Sequence, residues 1–322
     1  MSRTEDFRAA LACRPAGTVP RWELEFHAFD TASGRRLVLG REFERLSAAA
    51  RERALHENAE IILSVCEELE FAAVTGPASH WEQAPGELAY YVLPDDGPER
   101  QIGVLREVAG DALLLVANVG GVLGASYDVE FCQALRDAPQ EIDALARRTL
   151  AEGLEKARRF RDVGADVAMT ASDVADNSGP FFKPHQMERF VFPYLEAWSD
   201  GVHALGMASL LHSDGNLTRH LDRIAGTSLD ALQAIDPVAG MDLLRSKAIV
   251  GDRLCLCGNV DCGLLVAGTP EEVYAATREL LLRWGTRAGL VLGASNAVQR
   301  EVPIDNYRAM VAAWKAREEH VR

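Results

Sequence analysis

The stretch MASLLHSDGN, at residues 207–216, contains the pattern that decides the fold. Its first five residues carry no charge and have the length of a buried strand, and His212 and Asp214 follow at the C-terminal end of that strand. Gly215 permits a sharp bend of the backbone, and Asp214 or Asn216 can cap a following helix at residues 217–224. A strand that passes through a polar turn into a helix is the repeating unit of a parallel α/β fold.

Seven further apolar stretches are predicted to be strands. They lie at or within residues 19–26, 71–75, 112–119, 166–172, 227–235, 254–258 and 289–293. Eight strands that mostly alternate with helical patterns in a chain of this length predict a parallel sheet closed into a (β/α)8 TIM barrel. A doubly wound open sheet is the alternative, but no GxGxxG follows the first strand. Because no linker rich in Pro, Gly or Ser interrupts the pattern, residues 1–322 are expected to form one domain.

Helices are predicted between the strands from apolar residues at helical spacing. They cover residues 47–69, 98–108, 138–160, 183–205, 271–284 and 304–317. Residues 29–43 are expected to form a loop with short ordered pieces. Residues 80–97 are expected to form a second loop, in which Trp81, Tyr90 and Tyr91 could hold a flat substrate or pack onto the scaffold or a partner subunit.

The composition is that of a soluble globular protein, with 48% hydrophobic and 25% charged residues. A formal net charge of −14 argues against nucleic acid or an anionic membrane as the main partner. The longest uncharged run, residues 112–127, is too short to span a membrane, and no signal peptide is recognised. Six scattered cysteines form no CxxC pair, so a reducing, cytoplasmic location is expected.

Polar residues follow most of the predicted strands, and a barrel would bring them together at its C-terminal mouth, where such enzymes carry out their chemistry. This set comprises Glu25, Asn118, Asp173, Asp176, His212, Asp214, Gln233, Asn259, Asp261, Ser295 and Asn296. Carboxylates beside a histidine suit a divalent metal or a general acid–base pair. The alternative is structural, with Asp214 as a helix cap and His212 bonded to a backbone carbonyl.

The pair His212-x-Asp214 supplies only two ligands, and two do not hold zinc. Glu25, Asp173 or a cysteine from residues 255–262 could complete the set. Among these cysteines, Cys262 lies in a loop and is the better candidate for a ligand or a nucleophile, whereas Cys255 and Cys257 share one strand face and are expected in the core.

Several stretches carry a resemblance to a known family. They are residues 182–194 (FKPHQMERFVFPY), 207–216, 236–242 (DPVAGMD), 257–261 (CGNVD), 268–273 (GTPEEV) and 303–307 (PIDNY). In this order they resemble the uroporphyrinogen decarboxylase superfamily. The resemblance implies a (β/α)8 barrel, in agreement with the strand count, and two main chemistries.

The first chemistry is cofactor-free decarboxylation of an acidic tetrapyrrole. Its enzymes carry an arginine-rich segment after the first strand, an aspartate after the second and a histidine after the last. Here residues 22–26 read WELEF without an arginine pair, residues 75–77 read TGP without an aspartate, and residues 293–296 read GASN without a histidine. All three departures argue against this reaction.

The second chemistry is zinc-dependent methyl transfer with a corrinoid protein. The coenzyme M branch uses a His-x-Cys pair after the fifth strand and a cysteine after the eighth, and the corresponding residues here are His212, Asp214 and Ser295. A site of histidine and carboxylates favours oxygen ligands over thiolates. It suits Lewis-acid polarisation of an ether or alcohol oxygen, so the resemblance is nearest to the aryl methyl ether O-demethylases.

The sequence therefore predicts a metal-dependent methyltransferase. His212, Asp214 and Glu25 are the expected metal ligands, with zinc as the expected ion, and Asp173 is a further catalytic residue. The residues expected to bind substrate are Glu25, Asn118, Asn259, Ser295 and Asn296. The expected partners are a small-molecule methyl donor and a corrinoid protein that accepts the methyl group as methylcobalamin, and a homo-oligomer is compatible with this scheme.

Two other functions are kept as alternatives. One is a decarboxylase of an acidic substrate, in which Arg35, Arg36 or Arg41 binds carboxylates and Asp214 or His212 assists protonation. The other is a binding or scaffold protein that keeps the barrel without catalysis. Bound metal would separate the methyltransferase from both.

Overall fold

Seven parallel strands form one curved sheet in the computed structural model, which describes residues 1–77, 82–84, 87–88 and 92–321. The sheet strands, in order across the sheet, are β1 (Ala73–Thr75), β4 (Leu114–Asn118), β5 (Val167–Ala171), β8 (Ala208–His212), β9 (Ala231–Gln233), β10 (Cys255–Val260) and β11 (Leu290–Ala294). Two small hairpins lie outside it, β2 (Glu82–Ala84) with β3 (Glu87–Leu88) and β6 (Ala175–Asp176) with β7 (Gly179–Pro180). The aromatic side chains predicted to clamp a substrate, Trp81, Tyr90 and Tyr91, lie outside the described residues.

Helices cover the sheet and lie mostly between its strands. They are α1 (Arg3–Leu11), α2 (Phe29–Ser33), α3 (Gly40–Glu44), α4 (Ala48–Glu68), α5 (Gly97–Ala109), α6 (Val129–Asp137), α7 (Pro139–Asp162), α8 (Pro184–Gln186), α9 (Phe192–Ala204), α10 (Leu221–Ile224), α11 (Leu243–Val250), α12 (Cys262–Ala267), α13 (Pro270–Trp284) and α14 (Ile304–Val321). A π-helical turn, Met187–Val191, joins α8 to α9, and a 3₁₀ turn, Gly251–Arg253, follows α11. No helix in the described part of the chain has both the length and the apolar character needed to cross a bilayer.

The segment at residues 20–26 closes the sheet into a barrel. Its Arg21 carbonyl accepts a hydrogen bond from Ala72 N at 2.8 Å, just before β1. On its other side, Leu292 N of β11 donates to Pro20 O at 2.9 Å, and Trp22 N donates to Leu292 O at 3.2 Å. The segment therefore occupies the eighth position between β11 and β1, and the predicted (β/α)8 fold is confirmed.

This closing segment is not the regular strand predicted at residues 19–26. It makes only isolated bridges, from Arg21 to Leu292 and from Phe26 to Val298. Pro20 has no N–H to give to a ladder, which weakens regular pairing. A Cβ on Gly293 would lie 2.2 Å from Trp22 O, so the backbone of the segment comes closer to β11 than a side chain there would permit.

The interior of the barrel is filled by alternate residues of its strands. This inner core includes Trp22, Leu24, Leu114, Val116, Val167, Met169, Leu210, Ala231, Cys255, Cys257 and Val291, and it confirms the core placement expected for the two cysteines. Phe7, Ala10 and Leu11 of α1 join it. Arg8 of α1 bonds Asp166, just before β5, so α1 covers the N-terminal end of the barrel. The chemistry is therefore expected at the opposite end.

Most predicted helices are confirmed, with differences that have local causes. The predicted helix at 183–205 is divided into α8, the π turn and α9. Pro193, in the first turn of α9, lacks the N–H of a regular helix and its ring crowds the carbonyl four residues earlier, which displaces the turn before it. The loop expected at residues 29–43 contains α2 and α3, and the helix expected at 217–224 shortens to α10.

Candidate metal centre

Asp173, His212 and Asp214 meet at the C-terminal mouth of the barrel. His212 is the last residue of β8, and the register pairs it with Ala171, so that the loop after β5 brings Asp173 beside it. His212 Nε2 lies 3.7 Å from Asp173 Oδ1 and 3.9 Å from Asp214 Oδ1. The three potential ligand atoms all lie within 4.8 Å of one another, and within the described residues no other group of His, Cys, Asp and Glu has this spacing.

The His212 ring is held with Nε2 towards the two carboxylates. The side chain is buried, and Nδ1 lies 2.5 Å from Gln233 Oε1, its neighbour on β9. Gln233 Nε2 donates to Ala294 O at 3.2 Å, which turns the amide oxygen towards His212. Because that oxygen can only accept, a proton is assigned to Nδ1, and Nε2 is the nitrogen that faces the carboxylates and can bind a cation. The bond to Gln233 replaces the backbone carbonyl contact considered from the sequence.

Asp214 has one oxygen bonded and one without a partner. Oδ2 accepts from Asn296 Nδ2 at 2.6 Å, and the backbone N–H of Asp214 donates to Asp173 Oδ1 at 2.9 Å. Oδ1 is buried and has no hydrogen-bond partner in the described structure, although it faces His212. Burial raises the pKa of Asp214; the His212 imidazole opposes that rise, and the Asp173 and Asp236 carboxylates add to it.

These side chains fit a divalent cation. An unpartnered buried carboxylate oxygen is costly without a compensating charge or donor, and a cation between it and the imidazole would remove that cost. Two carboxylates and one neutral imidazole are hard or borderline ligands, of the kind that zinc and other divalent ions take. Asp173 is more than half exposed, which leaves one side of the group open towards solvent.

Glu25 lies apart from this group. Its carboxylate is 2.7 Å from His27 Nε2, and it is not among the three residues with metal-binding spacing. The assignment of Glu25 as a ligand stays a prediction. Asp173, which the sequence placed among the catalytic residues, offers the third potential ligand atom in the observed geometry.

The other predicted site residues divide into those near the metal group and those bonded to nearby backbone. Asn296 contacts Asp214 directly. Ser295 Oγ lies 3.5 Å from Cys262 Sγ. Asn259 Nδ2 donates to Ile235 O at 2.6 Å, and Asn118 Oδ1 accepts from Gly120 N at 3.3 Å. Their roles in substrate binding stay predictions.

Cys262 is joined to the mouth of the barrel but is not in the metal group. Its Sγ accepts a hydrogen bond from Asn296 N at 3.0 Å. Burial raises the pKa of Cys262 to about 11, against the opposing effect of the hydrogen bonds from Ser295 and Asn296. The thiol is therefore protonated at neutral pH, which disfavours it as a nucleophile.

The arginines of the decarboxylase alternative are on the protein surface. Arg35 pairs with Glu60 at 3.2 Å, and Arg36 pairs with Glu42 at 2.7 Å. Both ion pairs are exposed, and Arg41 is exposed as well. None of these contacts connects the arginines to the Asp173–His212–Asp214 group.

Two residues with structural roles at this site were not assigned a role from the sequence. Gln233 was expected at the mouth, but its bond to His212 depends on the β8–β9 register, which pairs the two residues. Glu23 and Glu25 were considered as carboxylates of the first strand that could line a site, and the structure shows Glu23 accepting a hydrogen bond from Ala294 N. For Gln233, the sequence feature that indicated a role at the mouth was a polar residue at the end of an apolar strand.

Comparisons with known proteins identify the family and the fold of the chain. A family model described as uroporphyrinogen decarboxylase (URO-D) matches residues 102–317. A uroporphyrinogen decarboxylase of Anaeromyxobacter dehalogenans is 31% identical over 131 residues, which are 40% of this chain and 36% of that protein. A methylcobamide:CoM methyltransferase of Methanosarcina barkeri is 23% identical over 216 residues, or 66% of this chain and 61% of that protein. The chain thus spans less than two thirds of either relative.

A solved structure also has the same fold. A methyltransferase from Methanosarcina mazei superposes with a TM-score of 0.72 at 18% identity, over 98% of this chain and 99% of that one. At this identity the likeness concerns the fold alone. The family model, however, covers two thirds of the chain, from α5 to α14. The chain therefore belongs to the uroporphyrinogen decarboxylase family.

Proposed function

We propose that this protein is a metal-dependent methyltransferase, which takes the methyl group of a small methyl ether or alcohol and passes it to a corrinoid acceptor. The observation that carries the proposal is His212 Nε2 facing two carboxylates, with Asp214 Oδ1 unpartnered in the described structure. In the reaction the C–O bond breaks, the oxygen keeps the electron pair and takes a proton, and the reduced corrinoid provides the electron pair of the new bond.

The chain's own residues prepare the site for this chemistry. Gln233 accepts from His212 Nδ1 and so turns Nε2 towards the carboxylates, and Asn296 holds one oxygen of Asp214 while leaving the other towards the imidazole. A divalent cation such as zinc, held by Asp173, His212 and Asp214, would supply Lewis-acid polarisation of the ether or alcohol oxygen. Asn118, Asn259 and Ser295 are proposed to orient the substrate at the mouth.

The charge of the mouth favours methyl transfer over decarboxylation of an acidic substrate. Asp173 and Asp236 both raise the pKa of Asp214, so three carboxylates are close enough to repel one another. A tetrapyrrole carboxylate would add to that repulsion. The similarity to a methylcobamide:CoM methyltransferase supports the same choice and suggests a methylated corrinoid as product or substrate.

Metal content tests the proposal. The protein is purified without chelator and analysed for metal beside His212→Ala, Asp214→Ala and the control Asp236→Asn, which removes a nearby charge but no proposed ligand. We expect near-stoichiometric metal in the wild type and the control, and its loss in the two ligand variants. Absence of metal after zinc is added back would exclude the mechanism. With metal present, formation of methylcobalamin from an aryl methyl ether and reduced cobalamin is then followed by absorbance.

A further inference from the structure

Glu23 lies buried in the barrel wall, on the side of the closing segment that packs against α14. Its side chain is 4% exposed. Tyr307 OH, from α14, donates to Oε1 at 2.7 Å, and Ala294 N–H, at the end of β11, donates to Oε2 at 2.8 Å. Arg21 Nη2 in turn donates to Tyr307 OH at 3.3 Å. The carboxylate therefore ties three parts of the chain together.

The bond from Ala294 replaces a missing rung of the sheet. Leu292 N donates to Pro20 O, as in a regular parallel ladder, and the next rung would run from Ala294 N to Trp22 O. Ala294 N instead donates to the Glu23 side chain. A side chain thus completes the pairing at the point where the closing segment departs from strand geometry.

The residue fixed in this way supports two of the three proposed metal ligands, His212 and Asp214. Ala294 O accepts from Gln233 Nε2, and Gln233 Oε1 accepts from His212 Nδ1. Two residues after Ala294, Asn296 Nδ2 donates to Asp214 Oδ2. One short piece of backbone, residues 294–296, therefore sets the orientation of the imidazole and of the carboxylate.

We propose that Glu23 is a positioning residue for the metal centre, which acts through the Ala294 backbone on His212 and Asp214. The inference takes the bound metal from the proposed function, whereas the hydrogen bonds that link Glu23 to His212 and Asp214 do not depend on it. If Glu23 is removed, Ala294 N–H loses its acceptor in a buried position, and the turn at residues 294–296 must shift to find another. His212 and Asp214 then lose the partners that orient them. Direct hydrogen-bond partners of metal ligands, here Gln233 and Asn296, typically change metal affinity by about 10- to 100-fold.

Three substitutions separate positioning from simple stabilisation. Glu23→Leu removes both acceptors. Glu23→Gln keeps an oxygen for Ala294 N–H and an amide group for Tyr307. The matched control is Trp314→Phe, which removes another buried hydrogen bond between α14 and the start of the closing segment, from Trp314 Nε1 to Val19 O at 2.8 Å, without touching Ala294.

The variants are titrated with Co²⁺ well below their unfolding temperatures, with visible absorption and thermal unfolding as readouts. We expect Glu23→Leu to weaken Co²⁺ binding about tenfold or more and to change the absorption bands. Glu23→Gln should restore the wild-type spectrum and affinity. Trp314→Phe should unfold at a lower temperature and bind Co²⁺ as the wild type does. A folded Glu23→Leu protein with wild-type spectrum and affinity would overturn the inference.

A metal-free readout keeps this test distinct from that of the proposed function. The ring nitrogen chemical shifts of His212, assigned with His212→Ala, report which nitrogen carries the proton. We expect Nδ1–H in the wild type and in Glu23→Gln, and a mixture of tautomers in Glu23→Leu; an unchanged tautomer would count against Glu23. If the wild type binds no metal, the proposed function falls, and this measurement still decides the role of Glu23. If Glu23→Leu does not fold, Tyr307→Phe is measured in its place. We expect smaller changes of the same His212 nitrogen chemical shifts in this variant, and unchanged chemical shifts would overturn the inference.

Discussion

At the scale of single residues, the site depends on partners that are distant in sequence. His212 and Gln233 are 21 residues apart, and Asn296 reaches Asp214 across 82 residues. Each of these bonds is made by a side chain at the end of a different strand. The proposed ligands lie at the end of β8, in the turn after it and in the loop after β5. Their orientation depends on side chains from β9 and from the turn after β11, which only the closed barrel brings close.

Gln233→Leu tests this dependence directly. Leucine keeps much of the volume but cannot accept the His212 Nδ1 proton, so the ring loses its fixed tautomer. We expect metal affinity to fall about 10- to 100-fold. We also expect a stability loss of about 1–3 kcal/mol, because Ala294 O and His212 Nδ1 lose a buried partner. Calorimetric metal titration and urea unfolding measure the two effects, and a variant with wild-type affinity would contradict the role given to Gln233.

The sequence was sufficient to indicate the residues of the candidate site but not their mutual arrangement. The turn after an apolar strand indicated His212 and Asp214, and the polar loop after the fourth strand indicated Asp173. Glu25 was given as a ligand because it lies near the end of the predicted first strand; its carboxylate bonds His27, and its role as a ligand stays a prediction. The direction of a side chain in an irregular segment depends on contacts that no local pattern records.

At the scale of secondary structure, strands within the barrel were predicted well because each is short, apolar and bounded by turn signals. The closing segment was the exception. Its backbone fits against β11 only because Gly293 has no side chain, and that pairing joins residues about 270 positions apart. Periodicity within residues 19–26 could not reveal it.

Gly293→Ala tests how barrel closure depends on this contact. A Cβ there would lie 2.2 Å from Trp22 O and 3.1 Å from Glu23 Oε2, so the closing segment must move away from β11. We expect a loss of about 3 kcal/mol or more in the free energy of unfolding. Gly103→Ala, inside α5 with its nearest neighbour at 3.8 Å, is the control and should stabilise by about 0.5–1 kcal/mol. Equal stability of the two variants in urea would refute the closure argument.

At the scale of the whole molecule, both termini contribute to the stability of the barrel. α1 covers one end, and α14 packs against the closing segment through Tyr307 and Glu23. The polar cluster of Glu23, Tyr307 and Arg21 therefore links the closing segment to α14. Ionisation of Glu23 in this cluster is expected to change the stability of the whole barrel.

The buried Glu23 carboxyl predicts how the stability of the metal-free protein depends on pH. Burial raises the pKa of Glu23 from 4.5 to about 7, against the opposing effects of Tyr307, Ala294 and Arg21. The folded state therefore binds this proton more tightly than the unfolded chain, so the contribution of Glu23 to stability is present at low pH and is lost as pH rises from about 4.5 through 7. Between pH 5.5 and pH 8 the loss amounts to about 2 kcal/mol.

Glu23→Gln isolates that effect because the amide does not titrate. Urea unfolding at pH 5.5 and pH 8, both above the sequence pI of about 5.1, gives the free energy of unfolding for each protein. Every other group titrates alike in the two proteins, so their difference reports Glu23. We expect the variant to gain about 2 kcal/mol relative to the wild type on going from pH 5.5 to pH 8. A difference that does not change with pH would mean that the Glu23 carboxyl is no harder to ionise in the folded barrel than in the unfolded chain.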